Sequence, residues 1–140
     1  MKVDKVFWDT NVLIDLLADR DPYYVDAALI ASQADQGKIE IYASTLSFAN
    51  CAYVLGRVEK DEKMRNKLTM IKTVIRPVSL DVTSMDKALS GGFPDFEDAL
   101  QYYCALQAEC SIILTRNGRD YRESAIAVMS PAEYLASLKA

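Results

Sequence analysis

The chain has 140 residues, a formal net charge of −4 and 51% apolar residues, enough for one well-packed core and little room for a second, so one domain over residues 1–140 is expected. An isoelectric point near 4.8 argues against gripping nucleic acid through a large basic surface, while leaving room for a local groove. With no histidine, the usual serine or cysteine triads, histidine zinc sites and imidazole bases are excluded, and any chemistry must run on carboxylates, amides, hydroxyls, lysine or arginine.

Residues 3–8 form a short β-prone run that ends at Asp9. Phe7 and Trp8 alternate in it and belong to the core. Thr10 and Asn11 are good helix N-caps, and Val12, Leu13, Leu16 and Leu17 fit a helix face packed on a sheet. Asp9 therefore stands at the carboxyl end of a strand, where open α/β sheets place their ligands. A carboxylate beside helix amides in such a crevice suits a cation. Asp15, further along, reads as a solvated helix acid.

Pro22-Tyr23-Tyr24 opens a second helix to about Gln36, with Gly37 as its stop. Residues 39–43 alternate and are β-like. Ser44, Thr45 and Ser47 can cap a helix carrying Phe48, Ala49, Ala52, Tyr53 and Leu55. The charged stretch from Glu59 to Arg65 begins a helix with Met64, Leu68, Ile71 and Ile75 on one face and a solvated opposite face. Residues 78–80 read as a short strand ending at Asp81, which caps a helix from about Ser84 to Leu89, stopped by Gly91-Gly92. Residues 95–109 give a strong helix with Phe96, Ala99, Leu100, Tyr103 and Leu106 in register. Residues 111–115 are a buried strand, and 126–129 one more. Ser130-Pro131 opens a last helix through Leu138. This alternation predicts a three-layer α/β/α sandwich around a central, mainly parallel sheet.

No apolar run is long enough to span a membrane. Asp4, Lys5, Asp9 and Asp15 interrupt the N-terminus, unlike a signal peptide. Cys51, Cys104 and Cys110 are odd in number and sit in apolar or helical surroundings, so reduced core thiols and a cytoplasmic location are expected.

Two further acidic groups join Asp9. Asp95 and Asp98 either share a helix face one turn apart, or Asp95 is the N-cap with Asp98 at the third helical position. Asn117 and Asp120 directly follow the buried strand at 111–115, at the same sheet edge as Asp9. Clustered carboxylates repel one another, and Mg²⁺ or Mn²⁺ is the usual remedy. Such a site activates water and stabilises the charge that develops in phosphodiester hydrolysis. Beside it, Arg116 and Arg119 read equally well as forked hydrogen-bond donors to substrate phosphates or as surface arginines.

Asp9-Thr10-Asn11-Val12-Leu13-Ile14-Asp15, then Asp98-Ala99-Leu100, then Leu114-Thr115-Arg116-Asn117-Gly118-Arg119-Asp120-Tyr121, in this order and spacing, resemble a PIN domain. That family includes the ribonuclease toxins of bacterial VapBC-type toxin–antitoxin pairs, and the resemblance covers nearly the whole chain. It implies a Mg²⁺- or Mn²⁺-dependent endoribonuclease acting on structured or single-stranded RNA, often a homodimer, and held off by a cognate antitoxin. Asp9 matches the family's first acid, Asp98 its third, and Asn117 or Asp120 the region of its fourth, with Asp95 as an extra carboxylate. The implied catalytic set is Asp9, Asp98 and Asp120, and the metal set adds Asn117 and Asp95. Thr115 and Asn11 are further candidates for a ligand or substrate contact, as is Asn50.

Asn50 stands where the family usually carries a glutamate on the helix after the second strand, so metal affinity should fall. The alternative is a degenerate PIN module that binds RNA or a protein partner without cutting. A receiver-like domain would need an acidic pair at the first strand and a lysine after a late strand. A haloacid-type phosphatase would need an aspartate where Asn11 stands.

Overall fold

In the computed structural model, which describes residues 3–139, the apolar runs form five parallel strands, β1 (Asp4–Trp8), β2 (Ile39–Ser44), β3 (Ile75–Val78), β4 (Ile112–Leu114) and β5 (Ala127–Met129). The helices are α1 (Thr10–Leu17), α2 (Tyr23–Asp35), α3 (Thr45–Leu55), α4 (Asp61–Ile71), α5 (Val82–Ser90), α6 (Phe96–Gln107) and α7 (Pro131–Leu138), with a 3₁₀ turn at Gly118–Tyr121.

A parallel sheet must be covered on both faces. Trp8 and Phe7, adjacent in β1, both have no exposed surface and enter different cores. Trp8 packs among α1, α2, α3, α4 and α7 through Leu13, Ile30, Leu55, Met64 and Tyr134. Phe7 packs on the other face with Tyr102 and Ala105 of α6, Ile113 and Tyr121, and α5 lies against α6. The result is the three-layer sandwich expected. Cys51, Cys104 and Cys110 are buried free thiols within these cores.

The strand order is β3-β2-β1-β4-β5. The chain steps outward from β1 through β2 to β3, then returns to the other side of β1. The order therefore reverses between β1 and β4, and a crevice opens beyond their carboxyl ends. Asp9 and Thr115 are the residues that follow those two strands.

Beneath the crevice, one buried side chain joins three helices. Gln101 of α6 is 1% exposed. Its Oε1 accepts from Ser44 Oγ at 2.8 Å, and its Nε2 donates to Thr10 Oγ1 at 3.0 Å and Ser47 Oγ at 2.9 Å. The Thr10 and Ser47 hydroxyls meet at 2.7 Å, and Ser44 caps α3 by accepting from Ser47 N at 3.0 Å. The starts of α1 and α3 are thereby registered against the middle of α6.

The third strand lies earlier than residues 78–80. Ile75 is its first residue, rather than a member of the α4 face, and Arg76-Pro77 continue it against Tyr42 and Ala43. Proline lacks a donor and is tolerated because β3 is the sheet edge.

Replacing Gln101 with leucine keeps the volume but leaves the hydroxyls of Thr10, Ser44 and Ser47 short of partners. The expected cost is about 1–3 kcal/mol, read in urea as a lower midpoint with an unchanged slope.

Candidate active site

Asp9 is placed by both strands and by α1. Its backbone N–H donates to Leu114 O at 3.0 Å, which ties it to β4. Its side chain caps α1: Thr10 N donates to Oδ1 at 2.8 Å. Thr115 Oγ1 donates to Oδ2 at 2.8 Å and itself accepts from Asn117 N at 3.1 Å. Asp9 is 8% exposed. Burial pushes its carboxyl above the ordinary range, against the opposing hydrogen bonds from Thr115 and Thr10.

Asp95 is the N-cap of α6, accepting from Asp98 N at 2.9 Å. Of the two arrangements open in the sequence, this is the capping one, with Asp98 at the third helical position. Asp98 is half-buried, and its carboxyl is pushed up to about 7, first by burial and then by the charges of Asp95, Asp9, Asp120 and Glu97. Asp120 and Asn117 are exposed, Asp120 within the 3₁₀ turn and Asn117 as its cap. Asp9, Asp98 and Asp120 thus lie within one another's field, with Asp95 at the rim. Asn11 has a buried side-chain oxygen with no hydrogen-bond partner.

Two residues escaped the sequence reading. Glu97 of α6 accepts from Asn50 Nδ2 at 3.0 Å. A search for acids three apart selects Asp95 and Asp98 and passes over Glu97, although an acidic first turn was its visible signal. Tyr121 is 1% exposed, yet its hydroxyl has no hydrogen-bond partner and lies in the field of Asp9, Asp98 and Asp120. An aromatic in a polar turn gives no sign of this in one dimension.

Asp15 is a correction. It is 1% exposed rather than solvated. Arg116 forks onto it, Nε to Oδ2 at 2.7 Å and Nη2 to Oδ1 at 3.2 Å, and the guanidinium stacks 3.9 Å above the Tyr23 ring. Arg116 therefore fastens the loop after β4 to α1 and α2. Arg119 is exposed and has no ion-pair partner among the described residues. An apolar groove of about 540 Å³ between α1, α2 and α4 shares none of these site residues.

The raised carboxyls set a pH dependence. The folded chain holds protons on Asp9 and Asp98 more tightly than the unfolded chain does. Stability in EDTA should therefore fall as pH rises from about 4, where unfolded carboxyls ionise, to about 7, where Asp98 ionises in the fold. Asp98→Asn should gain stability relative to wild type over that window, as measured by urea midpoints at each pH.

The PIN domain family pattern matches residues 5–119. Ribonuclease VapC1 of Aquifex aeolicus is 26% identical over 142 aligned positions, spanning 96% of this chain and 95% of that protein. A toxin–antitoxin complex from Klebsiella pneumoniae superposes with a TM-score of 0.65 at 19% identity, over 90% of this chain and 97% of that one. VapC20 of Mycobacterium tuberculosis, a Sarcin-Ricin loop cleaving toxin, superposes with a TM-score of 0.60 at 14% identity, over 77% of this chain and 86% of that one. The two structures speak for the fold, and the family pattern covers most of the chain: the chain belongs to the PIN domain family.

Proposed function

We propose that this protein is a Mg²⁺- or Mn²⁺-dependent endoribonuclease and the toxin of a type II toxin–antitoxin pair. The observation that carries the reading is the setting of Asp98. Its ionisation is opposed first by burial and then by the charges of Asp95, Asp9, Asp120 and Glu97 at the switch point of the sheet, a costly arrangement that a divalent cation offsets. The donors are all oxygen, the kind Mg²⁺ and Mn²⁺ take. Among the described residues no three acidic or thiol side chains close around a single point.

Asp9, Asp98 and Asp120 are assigned as the ligands, with Asn117 and Asp95 at the rim. The cation would activate water and offset charge on the scissile phosphate. Thr115 holds Asp9 and its own loop through one hydroxyl. Asn50 orients Glu97, which supplies a negative charge next to an amide. Arg119 is the arginine placed to meet a phosphate, because Arg116 is committed to Asp15. The toxin–antitoxin complex among the structural neighbours supports an antitoxin as partner, and the resemblance a homodimer. No helix among the described residues is long and apolar enough to cross a membrane.

A labelled panel of single-stranded RNAs and tRNA, incubated with Mn²⁺, Mg²⁺ or EDTA, tests the reading. Cleavage is expected with metal, none in EDTA, and loss to background in Asp9→Ala. Folded wild type that cuts nothing with either metal would instead make this a non-catalytic module that binds RNA or protein.

The two arginines should separate. Arg116→Ala leaves buried Asp15 with only the longer Arg20 contact at 3.9 Å and should cost up to about 3 kcal/mol of stability. Arg119→Ala should change stability by less than about 0.5 kcal/mol while weakening RNA binding. Denaturation and RNA titration on both variants check this.

A further inference from the structure

Two cavities meet at the loop after β4. One, of about 480 Å³, is lined by Arg116, Asn117, Gly118, Arg119 and Asp120. The other, of about 450 Å³, is walled by Pro22, Tyr23 and Asp26 at the start of α2, by Arg116 and Asn117, and by Pro131 at the start of α7. Arg116 and Asn117 belong to both. The second cavity is therefore a side chamber of the one that holds Arg119 and Asp120. Its volume is that of pockets that take small organic ligands.

The chamber is furnished for a flat ring. Tyr23 is 43% exposed, although the Arg116 guanidinium lies 3.9 Å from its ring centroid. That guanidinium is itself held by the forked bonds to Asp15. Tyr23 and Arg116 thus make one fixed, layered surface, and Pro22 and Pro131 add rigid apolar walls. Unpaired RNA bases are bound by stacking on aromatic rings or guanidinium planes, and are read along their Watson–Crick edges.

Asp26 supplies a reader. It stands three residues beyond Tyr23 on α2, so the two share a helix face. It is half-buried and forms no ion pair among the described residues. A carboxylate accepts at two oxygens and donates nothing. Among the RNA bases, guanine alone offers two adjacent donors on its Watson–Crick edge, N1–H and the N2 amino group. The continuity of the chamber with Arg119, the arginine placed to meet a phosphate, favours an RNA strand over a peptide as the occupant.

We propose that this chamber is a subsite for one unpaired guanine next to the phosphate held at Arg119, with the base stacked on the Tyr23–Arg116 layer and its two donors on Asp26. This rests on the ribonuclease reading above but needs no metal ligand. It makes Tyr23 and Asp26 determinants of specificity, with no part in breaking the bond.

The test uses three labelled oligouridylates that carry one central guanosine, inosine or adenosine. Binding is titrated in EDTA at low salt, and cleavage is followed separately in Mn²⁺ at limiting RNA. Inosine lacks the N2 amino group, and adenosine lacks both donors. Wild type should prefer guanosine to adenosine about tenfold, with inosine between. Tyr23→Ala should weaken the guanosine oligonucleotide about tenfold, and Tyr23→Phe, which keeps the ring, should bind it as wild type does. Asp26→Asn should level the preference among the three at unchanged Tm, an effect that a merely structural role would not produce. If Tyr23→Ala matches wild type in both binding and cleavage, or if wild type treats the three RNAs alike, the subsite is overturned and the ribonuclease reading stands. If wild type neither binds nor cuts any RNA, the ribonuclease reading falls and takes the subsite with it.

Discussion

The hydrogen bonds of Gln101 hold the site's framework together. The strand order opens a crevice beyond β1 and β4, but a crevice does not decide where helices begin. Gln101 does, because its amide both donates and accepts and reaches Ser44, Ser47 and Thr10 at once. Thr10 is the first residue of α1 and follows Asp9 directly, while Ser44 is the cap of α3. Asp9, the start of α3 and the middle of α6 are thus fixed relative to one another from below. A fully satisfied buried network of this kind specifies one arrangement more sharply than apolar packing alone.

Above that framework, the acids are placed by helix chemistry and loaded against one another by it. Asp9 and Asp95 are caps, and their carboxylates accept from backbone amides. Helix N-termini favour negative charge, which offsets part of the repulsion. Capping accounts for Asp95 completely. It does not account for Asp98, whose backbone is the donor in the cap and whose ionisation is opposed by burial and by the charges of neighbouring acids.

What the sequence made legible follows from where the determining contacts lie. Strand β1, helix α6 and the capping of α5 by Asp81 depend on neighbouring residues, and local pattern reveals them. The third strand was misplaced because Pro77 resembles a breaker unless its edge position is known. Asp15 looked solvated because its partner is 101 residues away. Thr115 and Asp9 are 106 apart, and Glu97 meets Asn50 across 47. The acids at the sheet edge could be named from strand ends, but the side chains that hold them could not.

The same separation bears on Asn50. In sequence, an asparagine where relatives usually carry a glutamate reads as lost charge and weakened metal binding. In the fold, its amide nitrogen donates to Glu97, whose charge adds to the field at Asp98. That corner therefore still holds a carboxylate, carried by α6 instead of α3. Asn50 cannot act as a charged ligand, but it keeps a neighbouring acid in place, and its amide oxygen is the end left as an acceptor. The negative charge near Asp98 is thus carried by Glu97 of α6 and held there by Asn50 of α3.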